Sequence, residues 1–213
     1  MPTLLLLIRH ALTDTAGKRL TGWNPGVHLN EQGRGQAERV AERLAPLPIK
    51  AVYSSTLERC METARPLAAA KGLEVRGLDA LRDVDYGDWS GRTMGTLRRT
   101  TLWKRLAASP ADTRFPHGEN LREVQHRIVS EVGRIVDRHG GATVAVVSHA
   151  DPIKLALAHF LGVHVDLFGR IVCHAGSVSA VAAGDGPPNV LRVNDTGDLM
   201  DLAPPRRPSR SAR

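Results

Sequence analysis

Residues 4–14 read LLLLIRHALTD, and residues 143–151 read TVAVVSHAD. In each stretch an apolar run stops at a histidine, His10 or His149, with an alanine directly after it. Runs this continuous do not alternate apolar with polar, so they read as strands buried on both faces, the signature of a parallel sheet. In such a sheet both histidines emerge at the same carboxyl edge, where open α/β folds carry their ligands. Arg9 precedes His10 and places a permanent charge at that rim.

The rest of the chain fits this reading. It has 213 residues, 42% apolar and 24% charged, enough for one domain with its own core. "LNEQGRGQAERVAERLAPL" carries a capping Asn30 and then Ala37, Val40, Ala41 and Leu44 at helical spacing. "KAVYSS" is a short strand, and "TLERCMETARPLAAAKG" a helix that ends near Gly72. "EVRGLDALRDVDYGDWSGRT" reads as a strand and then an Asp/Gly loop. One helix is expected around Met94–Ala107 and a long amphipathic one over "ENLREVQHRIVSEVGRIVDRHGG". "PIKLALAHFLG" opens a helix with Pro152, and "RIVCHAGSVSAVAAG" and "NVLRVND" read as closing strands. Alternating strands and helices predict an α/β domain: three layers, α/β/α, around a mostly parallel sheet.

Composition removes several classes of function. The 2 cysteines, Cys60 and Cys173, are far apart, so neither a disulfide framework nor a zinc site is expected. Leu4–Ile8 is too short to span a membrane and has no basic stretch before it, so a cytoplasmic protein is expected. Of the net charge of +7, Arg206, Arg207, Arg210 and Arg213 supply four, leaving +3 on the body. The expected organisation is a domain over 1–203 and a disordered basic Pro/Arg/Ser tail over 204–213, with any nucleic-acid contact confined to that tail.

The rim could gather His10, His149, Arg9, Arg59 and one of Asp83, Asp85 and Asp88. These types suit phosphoryl chemistry. Guanidinium forks match phosphate oxygens, a neutral imidazole can attack phosphorus, and a carboxylic acid can protonate a leaving oxygen. The remaining histidines form no HExxH, and "GRGQAE" lacks both a preceding strand and the third glycine of a dinucleotide turn. His174 and Ser177 are further candidates for the pocket, and Trp103 for a lid.

The chain resembles the histidine phosphatase superfamily, also called phosphoglycerate-mutase-like. "LIRHALT" is similar to its LxRHGxT, "YSSTLERCMETA" to SSxLxRxxxTA, and "LRDVDYGDWSG" to LxExxxGxWEG. "FPHGENLREVQHRI" is similar to PxGESxxxxxxR, and "VAVVSHADPIK" to VxHGGxIR. The resemblance implies a metal-independent, cofactor-free phosphomonoesterase that works on a small-molecule phosphomonoester through phosphohistidine. His10 would be the nucleophile, and Arg9, Arg59 and His149 would hold the phosphoryl oxygens. Asp83 would be the acid, and Thr21 and Gly22 would flank the substrate. The segment Thr93–Gly118 would cap the pocket. Ala11 and Ala150 stand where the family has glycine, Asp83 where it has the longer Glu, and Ser90 where it has Glu. A phosphoglycerate mutase and a non-catalytic phospholigand-binding module are the alternatives, and a homodimer is left open.

Overall fold

The computed structural model describes residues 1–197. The end of the expected 1–203 domain and the basic segment 204–213 lie outside the described residues. Six strands run β1 Thr3–Arg9, β2 Ile49–Ser54, β3 Val75–Gly77, β4 Thr143–Ser148, β5 Val178–Ala183 and β6 Asn189–Asp195. The helices are α1 Glu31–Leu44, α2 Glu58–Lys71, α3 Met94–Leu97, α4 Thr101–Ala108, α5 Leu121–Arg138 and α6 Ala150–Phe160. The sheet order is β3-β2-β4-β1-β5-β6. The first four strands are parallel, and β5 and β6 close the sheet as an antiparallel hairpin.

The central strands are buried on both faces because each face is covered by helices. Leu5, Leu7, Val144 and Val146 pack against Ile128, Val132 and Ile135 of α5 and Ile153 and Leu157 of α6. Leu6, Ile8, Ala145 and Val147 point the other way, onto Val40, Ala41 and Leu44 of α1 and Cys60, Ala64 and Leu67 of α2. Successive side chains of one strand thus serve two cores. A third apolar cluster, with Val84, Tyr86, Trp89, Leu97, Phe115 and Leu121, lies under the segment that follows β3.

Helix ends fall where local chemistry puts them. The Asn30 side chain accepts from the Gly33 amide at 2.8 Å. Gly33 also lets the chain after β1 lie on α1, since a Cβ there would sit 2.0 Å from the Leu12 carbonyl oxygen. Asn120 and Glu123 form a reciprocal capping box at the start of α5. The single helix expected over Met94–Ala107 is two, α3 and α4. Thr100 breaks the run because its hydroxyl accepts the Trp103 amide and caps a new helix. Among the described residues no helix is long and apolar enough to cross a membrane.

The loop after β3 is clasped by the segment before α5. The Asp88 amide donates to the Pro116 carbonyl at 3.0 Å, and the Glu119 amide donates to the Asp85 carbonyl at 2.9 Å. Gly87 makes this closeness possible: its φ is +51°, and an added Cβ would lie 2.0 Å from the Pro116 carbonyl oxygen. Gly87→Ala is expected to destabilise the fold by about 2 kcal/mol or more, lowering the melting temperature by roughly 4–8 °C. An unchanged melting temperature would show that this clasp is looser than described.

Candidate active site

Parallel pairing of β1 with β4 sets Arg9 beside Ser148, so the next residues, His10 and His149, leave the sheet together. The His10 amide donates to the Ser148 carbonyl at 2.9 Å. The two imidazole centroids are 5.2 Å apart, edge to face. His149 then begins α6. Strand β2 delivers Ser55 to the same edge, where its amide donates to the Val147 carbonyl at 2.9 Å, and α2 follows with Arg59.

His10 lies in an orientation that exposes one nitrogen. Its Nδ1 is 2.7 Å from the Ala11 carbonyl oxygen, which can only accept, so Nδ1 carries the proton and Nε2 keeps its lone pair. Burial, then the charges of Arg59 and Arg9, hold the ring well below the ordinary histidine range and therefore neutral. His149 is neutral for the same first two reasons, burial and Arg59. Its Nε2 lies 2.9 Å from the Ser55 hydroxyl and 3.3 Å from Cys60 Sγ, which leaves Nδ1 on the side of Asp83, 3.7 Å from Oδ2.

Arg59 is 1% exposed. Its Nη2 donates to the Gly22 carbonyl at 2.8 Å and to Asp83 Oδ2 at 3.3 Å. Its Nε and Nη1 are buried with no hydrogen-bond partner among the described residues, and so is Nε of Arg9. Buried guanidinium nitrogens without acceptors are costly and rare. Here three of them belong to the two arginines whose charges bear on His10. The arrangement suits a ligand that brings several anionic oxygens.

Asp83 is the carboxyl that meets this group. Burial pushes its pKa up to about 6, against the opposing pull of Arg59 and with a further push from Asp151. It can therefore hold or release a proton near neutral pH. Asp85 is turned away and accepts the Gly87 amide at 2.9 Å.

A pocket of about 340 Å³ opens here, lined by Arg9, His10, Thr21, Asp83, Tyr86 and Asp151 among others. His149 and Arg59 lie buried at the same strand edge. Gly22 does not line the pocket and contributes its carbonyl to Arg59 instead. His174 and Ser177 do not line it either: the Ser177 carbonyl accepts the Arg9 amide at 3.1 Å, and the His174 amide donates to Asn194 at 2.6 Å. From the expected cap, Met94 reaches the pocket, while Trp103 stacks on Trp89 with centroids 6.0 Å apart. A larger cavity of about 540 Å³ between α1 and α2, beside His28 and Glu62, contains none of the clustered groups.

Residue pattern alone did not assign Arg127. Its guanidinium grips Glu119 with Nε at 2.9 Å and Nη2 at 2.8 Å. It also donates to the carbonyls of Ala80, Arg82 and Asp83 at 2.9, 3.0 and 3.0 Å. The loop that aims Asp83 is thus fixed from α5. The signal for this was the Arg that ends the "GENLREVQHR" motif, with its Glu eight positions earlier. Among the described residues, no group of three or more His, Cys, Asp or Glu is placed to hold a metal ion.

The family model described as histidine phosphatase superfamily (branch 1) matches residues 5–196. Phosphoserine phosphatase 1 of Hydrogenobacter thermophilus is 30% identical over 208 residues, covering 93% of this chain and 95% of its own. A bifunctional protein of Mycobacterium tuberculosis is 36% identical over 202 residues, covering 93% of this chain. This chain spans about half, 55%, of that protein's length. Among solved structures, the mycobacterial glucosyl-3-phosphoglycerate phosphatase matches with a TM-score of 0.80 at 29% identity, over 90% of this chain and 98% of that one.

The buried neutral histidines link stability to pH. Unfolded, His10 and His149 take up protons around 6.5; folded, they resist to well below that value. Their contribution is intact above pH 6.5 and is lost as pH falls toward the folded values. Asp83 acts oppositely: its raised pKa favours the folded state below 3.8, and that benefit is gone above about 6. Melting temperatures of the wild type and His149→Asn, measured from about pH 8 down to about pH 5, are expected to converge as pH falls. Parallel curves would mean that His149 is not held neutral.

Proposed function

The chain belongs to the histidine phosphatase superfamily and is a phosphatase of that family, and from this we propose how its own residues hydrolyse a small phosphomonoester. His10 Nε2 attacks phosphorus in line with the ester oxygen. The P–N bond forms as the P–O bond breaks, and the departing alkoxide takes its proton from Asp83. Water then attacks the phosphohistidine with Asp83, now a carboxylate, as base. The P–N pair returns to Nε2, and inorganic phosphate leaves.

The single observation that carries this reading is the set of buried, unpartnered nitrogens on Arg9 and Arg59 around a neutral His10. Equatorial oxygens gain charge as the phosphoryl group is transferred, and fixed donors already aimed at them need no reorganisation. His149 joins them through Nδ1. Its Nε2 can accept from the Ser55 hydroxyl, which leaves the proton on the nitrogen nearer Asp83. Gly22 acts through Arg59, by fixing Nη2, and Thr21 meets substrate at the pocket wall. The substrate class is a small-molecule phosphate ester, in keeping with the names of the relatives. The two free, buried thiols, Cys60 and Cys173, agree with a reducing cytoplasm.

Asp83 gives the test. A nitrophenolate leaves without a proton, whereas an alkoxide needs one. Asp83→Asn is expected to slow hydrolysis of an alkyl phosphate by about 10²–10⁴-fold and of nitrophenyl phosphate far less, while phosphorylation limits the rate. Asp85→Asn should cost both substrates about equally. If Asp85→Asn instead shows the leaving-group dependence, Asp83 is not the acid.

A further inference from the structure

The motif around the second histidine departs from its family pattern at Ala150, Asp151 and Lys154, and the mechanism uses none of the three. Where VxHGGxIR has its second glycine, this chain has Asp151, in the first turn of α6. Asp151 lines the catalytic pocket together with Tyr86 and Lys154. Its Oδ2 accepts from the Tyr86 hydroxyl at 2.9 Å, and its Oδ1 accepts from Lys154 Nζ at 3.3 Å. Burial holds the Tyr86 phenol well above its ordinary range, so it stays a neutral donor and does not neutralise the carboxylate.

A carboxylate on this wall is a liability for phosphate binding alone. The phosphoryl group arrives as an anion, and Asp151 repels it. The charges around the pocket divide into two sets. Arg9, Arg59 and His149 are the groups that the proposed mechanism assigns to the phosphoryl end. The rest of the lining includes Asp151, Lys154 and Arg19, and three threonines, Thr13, Thr15 and Thr21. A carboxylate offers about four acceptor positions, and Tyr86 and Lys154 take two. Lys154 is also drawn aside, 5.8 Å over the Phe168 ring. The remaining acceptor capacity of Asp151 is open to a donor that brings its own positive charge.

We propose that Asp151, braced by Tyr86 and Lys154, binds a cationic amine on the alcohol half of the substrate, so that the chain takes O-phosphorylated amino alcohols or amino acids. A primary ammonium matches Asp151 in charge and in donors, and it adds to Lys154 in offsetting the repulsion that the carboxylate exerts on the phosphoryl group. Where the substrate also has a carboxylate, Lys154 and Arg19 are further cations of the pocket lining that can meet it. The proposal rests on the phosphatase reading and narrows it to a substrate class.

O-phosphoserine and 3-phosphoglycerate make the test, because they share a phosphate and a carboxylate and differ in amine against hydroxyl. The wild type is expected to prefer phosphoserine in kcat/KM by roughly tenfold or more, and Asp151→Asn to lose roughly ten- to a hundredfold on phosphoserine and with it the preference. Lys154→Gln should weaken both esters together and leave their ratio in place, which separates loss of the amine contact from general damage to the wall. An unchanged ratio in Asp151→Asn would overturn the proposal. So would equal losses on both esters with a displaced pH profile, which would make Asp151 a regulator of Asp83 protonation only. Nitrophenyl phosphate, which has neither amine nor carboxylate, tests the parent reading separately in the wild type. Its hydrolysis with an unmoved ester ratio sinks the amine site alone, and its inertness together with both esters sinks the phosphatase reading.

Discussion

A guanidinium held at 1% exposure is the constraint on which this site is built. Arg59 cannot shed its proton, so its surroundings must adapt. Asp83 is its nearest carboxyl, 3.3 Å away, yet burial lifts that carboxyl to about 6. The adjoining imidazoles respond by remaining neutral. The result is a floor with more positive charge than its own anions balance. Removing one partner of a buried charge is costly, and leaving a charge incompletely partnered costs something too. In the proposed mechanism that cost is the counterpart of function: the acceptors are those a phosphoryl group would supply.

The scaffold exists to hold this imbalance in place. Two adjacent parallel strands bring His10 and His149 to one edge, and burial of both strands on two faces leaves no freedom of register, because a one-residue slip would exchange the two cores. The carboxyl comes from a loop, which is a softer support. Arg127 removes the softness by binding three carbonyls of that segment, those of Ala80, Arg82 and Asp83, while pairing with Glu119. Loop and helix are then one unit, and Asp83 is aimed from outside its own segment.

Much of this was legible in the residues, for identifiable reasons. Continuous apolar runs that end in histidine can form few structures other than central parallel strands, so β1 and β4 and their shared edge follow from pattern. A cap such as Asn30 is local, and it falls where expected. What resisted reading depends on contacts distant in sequence. Asp83 and Asp85 differ by two positions and share a face of an extended chain; only the clasp by the segment before α5 turns one in and one out. Thr100 looks like an ordinary helical residue until its hydroxyl caps α4. Gly22 borders the site in sequence but reaches it only through Arg59.

The central claim is that His10 becomes covalently phosphorylated, and the most direct measurement is of the bond it would form. The protein is mixed briefly with a ³²P-labelled phosphomonoester, quenched in alkali and then exposed to acid. Label that survives alkali, is lost in acid and is absent from His10→Ala is the result expected of a phosphoramidate on His10. Acid-stable label, or label that persists in His10→Ala, would place the phosphoryl group on another residue and contradict the account.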